Sequence, residues 1–157
     1  MTFIVETGTG ISQATSYLSQ EVADAHFTAL GLAEWTRAND ANKRRALMQA
    51  SAYVDGYVYG GSLLNVAQGL SWPRQGSHDR EGRALKGLPH ALRTAVLEMA
   101  ALYIAKPPAA QGASYIIREK VGPIELAYSK SKQQPSFVFR LLQQIGARPP
   151  MNMVQRG

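Results

Sequence analysis

Apolar positions recur at helical spacing in four stretches of the chain, and between the second and third of them the period disappears. In ATSYLSQEVADAHFTALGL, Val22, Ala25, His26, Ala29 and Leu30 share one face, Ser19 stands ready as an N-cap with Glu21 in the first turn, and Gly31 closes the run. The spacing predicts a first helix of about three turns. RANDANKRRALMQASAYVDGYVYGG offers Asn39 or Asp40 as a cap and places Leu47, Ala50, Val54 and Tyr57/Val58 on one side, which predicts a second helix running to Gly60-Gly61. LPHALRTAVLEMAALYIAKPP predicts a third, with Pro89 at its first position, a stripe of Leu92, Ala95/Val96, Met99 and Tyr103, and a stop at Pro107-Pro108. A last short helix is predicted from Pro135 to about Ile145, closed by Gly146.

Residues 61–88 show neither helical nor strand period and are rich in Gly, Pro, Ser and charge, so this long connection needs an internal pin. The stretch LSWPRQG supplies one. Pro73 biases Trp72 away from helix, and the bulk of a tryptophan in an aperiodic loop is best accounted for by burial of its ring against the helices, with Arg74 reaching a nearby carboxylate or a neighbouring subunit. Stacking on a nucleic acid and gripping a partner are the other roles open to Trp72. Further on, β-branched and aromatic residues alternate with charges in SYIIREKVGPIELAYS, which predicts two short strands or an extended segment over 114–128. The fold expected is therefore mainly α: one domain over 1–145, a small bundle of three to four helices with a short β-hairpin or extended segment, followed by an extended C-terminal arm over 146–157.

Charge changes the picture more than composition does. The net charge of +6 is unevenly spread, with four Lys/Arg against six Asp/Glu in residues 1–60 and thirteen against five in 61–157. A basic second part implies an anionic neighbour or a solvated basic surface. Single-strand binders interleave cations with aromatic platforms, and Trp72-Arg74, Tyr115-Arg118 and Phe139-Arg140 are pairs of that kind, although they lie in three different elements. The NKRR run at 42–45 opens a helix, where the dipole disfavours cations, so it is expected to face solvent or a partner.

Catalytic chemistry is not legible. The three histidines, His26, His78 and His90, are scattered, and there is no cysteine for thiolate chemistry, a metal cage or a disulfide. HDRE at 78–81 reads as a polar loop, since no second cluster at ligand spacing accompanies it. GTGIS and YGGS contain glycines without the spacing of a phosphate-binding loop. No catalytic, cofactor or metal residue is assigned, and no enzyme is expected. MTFIVETGTG has neither a basic nor an apolar leader segment and no run is long enough to span a bilayer, so a soluble chain without membrane contact is expected.

Four stretches, VETGTGISQATSYLSQEVADAHFTALG, ASAYVDGYVYGG, GLSWPRQGSHDREGRALKGLPHALRTAVLEMA and REKVGPIELAYS, resemble in order and spacing a family of tailed-bacteriophage proteins of the head–tail module, described as DnaT-like single-stranded DNA-binding proteins. The resemblance covers roughly residues 4–130. It implies a structural head–tail adaptor that joins head to tail, a twelve-subunit ring docked on the portal and surrounding the DNA exit channel. The partners it implies are the portal ring, identical subunits, the next neck or tail-completion protein and non-specific contact with genomic double-stranded DNA. The location implied is the virion, after assembly in the host cytoplasm. On this reading Arg148, Pro149, Pro150, Met151, Asn152, Met153, Val154, Gln155 and Arg156 form a portal-docking arm suited to strand addition, while Arg118, Lys120, Lys130 and Lys132 face the channel or a neighbouring subunit. The alternative expectation is a single-stranded DNA-binding protein of replication type.

Overall fold

Residues 2–106 and 135–150 are described by the computed structural model. Among them are five helices, α1 (Gln20–Leu30), α2 (Ala33–Arg37), α3 (Asp40–Asp55), α4 (His90–Ala105) and α5 (Ser136–Gln143), and one minimal antiparallel pair, β1 (Ser62–Leu63) with β2 (Arg74–Gln75). The fold is mainly helical with a small hairpin, as expected. That hairpin lies within the long connection. The hairpin or extended segment expected over 114–128 falls outside the described residues, as do Arg118, Lys120, Lys130, Lys132, Met151, Asn152, Met153, Val154, Gln155 and Arg156.

The helix ends follow from their caps. Ser19 Oγ accepts from the Val22 amide at 3.2 Å, and Gly31, at φ +71°, lets its own N–H and that of Leu32 fold back onto the Thr28 and Phe27 carbonyls. This is a Schellman stop, which favours glycine because a Cβ is strained at positive φ. Asn39 caps α3 through the Asn42 amide at 2.8 Å. The helix ends at Asp55, short of the expected Gly60, because the Gly56 and Tyr57 amides turn back to Tyr53 and Val54 and the chain then leaves extended. Pro89 precedes α4 with extended backbone (φ −60°, ψ 150°), so it stands one position before the place predicted for it. The single-turn α2 was not anticipated: five residues are too few to display a period, and its one buried side chain, Trp35, is flanked by polar residues.

The core is centred on α3 and α4, with α5 laid against α4 and α1 and α2 closing the side. Ala50 on α3 and Ala95 and Ala100 on α4 are fully buried, and such small side chains let packed helix backbones approach closely. Around them pack Leu47, Val54, Leu92, Val96, Val138 and Leu142, each contributing roughly 1.5–3 kcal/mol on burial. α4 is buried on more of its circumference than the predicted stripe, Ala91, Leu97 and Ala100 included, because α3 and α5 cover different faces of it. Among the described residues no helix is long and apolar enough to cross a membrane.

The long connection is pinned as expected. Trp72 is 0 % exposed, its ring edge-on to Tyr59 at 5.4 Å, and the Trp72–Pro73 peptide is cis. Its amide donates to the Tyr17 hydroxyl at 3.0 Å, Tyr17 in turn donates to Asp55 Oδ1, and the Ser71 amide donates to Asp55 Oδ2 at 3.0 Å. Burial pushes the Asp55 carboxyl above its ordinary range, while these donors pull the other way. Arg74 departs from expectation. Its guanidinium donates to the main-chain carbonyls of Gly60, Ser71 and Gly61 at 2.7, 2.9 and 3.2 Å, and it makes no ion pair among the described residues. The loop closes on Gly61 (φ +73°), where a Cβ would collide with the Gln75 carbonyl oxygen.

A second pin packs against the same connection, where Asn65 Nδ2 donates to the Gly10 carbonyl at 2.9 Å and the Gly69 amide to that of Ile11 at 3.0 Å. Glu6 is 2 % exposed, and its Oε1 accepts from the amides of Gly8, Thr9 and Gly10 at 2.8–2.9 Å while Oε2 accepts from Ile11 at 2.8 Å. The glycine-bearing GTG turn is thus an anion nest already filled by a carboxylate of its own chain.

Candidate functional site

The chain's cations serve two different ends. In the NKRR run, expected to face solvent or a partner, Asn42, Arg44 and Arg45 are exposed as expected, whereas Lys43 is turned into the fold, and Arg44 makes fold-internal contacts despite its exposure. Lys43 Nζ lies 3.1 Å from Asp24 Oδ1 and 5.8 Å from the Trp35 ring centroid, with its side chain 12 % exposed; Arg44 Nε donates to Gln20 Oε1 at 2.9 Å with its guanidinium over Phe3. Burial alone would raise the Asp24 carboxyl, but the Trp35 indole N–H at 2.7 Å and Lys43 hold it below the usual carboxylate range. Two further loop cations, Arg80 and Arg83, are also engaged. Arg83 Nε lies 2.7 Å from Asp79 Oδ2, Arg80 lies 4.0 Å from Glu81, and Asp79 Oδ1 accepts from the Glu81 and Arg83 amides. HDRE is accordingly a turn built on Asp79, and among the described residues no group of acidic, histidine or cysteine side chains could hold a metal ion.

Arg37 and Arg45 are used differently. The first turns of α3 meet the last turn of α4 beside the end of α2, leaving a groove of about 250 Å³ whose walls include Arg37, Asn42, Arg45 and Tyr103. Both arginines are exposed and neither is ion-paired among the described residues; Arg45 donates only to Asn42 Oδ1, at 3.2 Å. Glu34, one turn before Arg37 on α2, also lines the groove, without reaching ion-pair distance of either arginine. Burial pushes the Tyr103 phenol up, so it stays a neutral O–H donor beside two permanent cations. Two guanidiniums, a neutral phenol with its ring and an amide make a site that suits a polyanion carrying planar groups. The groove contains no nucleophile–base pair.

The sequence-predicted residues do not converge on this site. Trp72 and Pro73 are buried in the connection and Arg74 is spent on carbonyls, so the Trp72-Arg74 pair offers no stacking surface. Phe139 lies stacked on Tyr57 at 5.5 Å, which engages one of its faces. Tyr115 lies outside the described residues. Arg148, expected in an extended portal-docking arm, is paired antiparallel with Val58 of its own chain through two main-chain bonds of 2.8 and 2.9 Å, and half-buried Pro149 and Pro150 follow it. The groove residues were missed because they are far apart in sequence: Tyr103 reads as one more member of a core stripe, Arg45 as part of a basic run, and Arg37 as a residue beside a helix boundary. Only the packing of α2, α3 and α4 unites them.

A family model described as "Putative DnaT-like ssDNA binding protein" matches residues 1–154. No curated protein and no solved structure matches the chain. The family match overturns the head–tail adaptor reading, because the matching family is one of single-stranded DNA binding and not of phage connectors. With that reading go the portal ring, the cyclic ring of identical subunits and the neck or tail-completion protein as partners, and the portal-docking and channel-lining roles of the residues assigned to them. The expectation of a virion location was drawn from the same role. The match agrees instead with the alternative expectation, a protein that binds single-stranded DNA.

Proposed function

The chain belongs to the family of DnaT-like single-stranded DNA-binding proteins, and from that premise we propose that it binds single-stranded DNA without catalysis, using the groove between α2, α3 and α4. The observation that carries this placement is that two exposed guanidiniums, Arg37 and Arg45, neither within ion-pair distance of a carboxylate among the described residues, line one groove with the half-buried Tyr103. Arginines in that state are free to exchange counterions for phosphates, the main source of sequence-independent affinity. The basic excess of residues 61–157 adds a long-range attraction for the strand.

The Arg37→Glu/Arg45→Glu double variant tests the placement. Both side chains are exposed, so the melting temperature should hardly move. Affinity for a fluorescein-labelled oligothymidylate, read by anisotropy, is expected to fall more than about tenfold, and the salt dependence of log K to flatten by about 1.4 for two lost phosphate contacts. Unchanged affinity in the folded double variant places the strand elsewhere on the molecule.

A further inference from the structure

We propose that Tyr103 is the base-stacking residue of this groove and makes the chain select single-stranded over double-stranded DNA. The inference rests on the single-strand reading above and adds to it the residue that discriminates. Most aromatic rings among the described residues cannot receive a base: Trp35, Trp72, Tyr17 and Phe27 are buried, and Phe139 is stacked on Tyr57. Phe137 is 49 % exposed, but on α5, away from the groove walls.

Tyr103 is the aromatic residue that lines the groove together with Arg37 and Arg45. Its partial burial among α3 and α4 fixes its orientation in advance, so little rotamer entropy is lost on stacking. The groove volume of about 250 Å³ falls below the ~300–1,000 Å³ of pockets for drug-sized ligands and leaves room for one unpaired base. A base inside a duplex has both faces covered by its neighbours, so only an unpaired base can lie on the ring. Arg37 and Arg45 then take the phosphates on either side of that nucleotide, contacts that a duplex could also make. Discrimination therefore falls to the tyrosine.

The test compares the full-length chain with Tyr103→Leu, which fills much of the same half-buried space without a π face, and Tyr103→Phe, which keeps the ring. Anisotropy is measured with oligothymidylate and with a duplex of equal length, and each variant is melted. Tyr103→Leu is expected to lose about 5- to 100-fold in affinity for the single strand with duplex affinity unchanged, and Tyr103→Phe to stay within about twofold of the parent on both. Photocrosslinking of the unaltered protein to an oligonucleotide carrying 5-iododeoxyuridine gives a reading independent of any variant's folding, and the adduct is expected on Tyr103. A folded Tyr103→Leu variant that binds the single strand as the parent does, or adducts confined to other residues, overturns the role of Tyr103 and leaves the single-strand reading standing. An unaltered protein that binds neither DNA overturns both.

Discussion

Trp72→Ala lowers the stability of the fold by about 3–5 kcal/mol, the cost of deleting a fully buried aromatic side chain. In a chain of this size that is expected to depress the melting temperature by on the order of 10 °C. Two losses combine in it. The indole is 0 % exposed and packs edge-on against Tyr59, so its removal forfeits burial and leaves a cavity that the pinned loop cannot readily collapse into. The Trp72 amide also supports the Tyr17 hydroxyl, which itself donates to Asp55, so a loop that shifts to fill the cavity disturbs the buried carboxyl as well. Trp72→Phe, retaining a ring that can meet Tyr59, should recover part of the loss. Thermal melting followed by circular dichroism checks both, and an alanine variant that melts with the parent contradicts the assignment of Trp72 as the loop's anchor.

Glu6→Ala is expected to cost about 3–5 kcal/mol by a different route. Four main-chain N–H groups point at this carboxylate, and alanine leaves all four without their acceptor, at about 1–3 kcal/mol for each that stays dry. Entering water relieves the more exposed of them, which is why the total falls short of the sum. Glu6→Gln should cost less, because its amide oxygen still serves the three donors that Oε1 serves, while its NH₂ group faces the Ile11 N–H, donor against donor. A further readout separates a nest from ordinary packing: sulfate should stabilise Glu6→Ala more than the parent, since the emptied nest favours an anion. Equal melting temperatures of parent and Glu6→Ala in urea titrations and heat would remove the nest from the account of stability.

How much of this was legible in the sequence depended on whether the deciding interaction was local. Ser19, Gly31 and Asn39 act within a few residues, and the helix starts and stops they mark were readable. Trp72 was readable too, since a tryptophan before a proline in an aperiodic stretch leaves burial as its simplest account. The end of α3 was not, because Tyr57 and Val58 continue the apolar period while Val58 is drawn off to pair with Arg148, ninety residues downstream. The same distant pairing anchors the start of the expected extended arm at Arg148 to its own chain. Glu6 stands directly before the glycines whose amides it fills, so the signal was present, but a search for phosphate-loop spacing passes over a nest whose ligand is internal. The groove is the extreme case, since Arg37, Arg45 and Tyr103 are brought together only by the packing of α2, α3 and α4.

The most direct measurement is the affinity of the unaltered chain for oligothymidylate across a salt series from low to physiological ionic strength. The account predicts binding that tightens steeply as salt falls, with log K against log[salt] linear at a slope of about −0.7 for each phosphate engaged and therefore no shallower than about −1.4, and weaker binding to a duplex of the same length. No binding at low salt, or an affinity indifferent to salt, contradicts it.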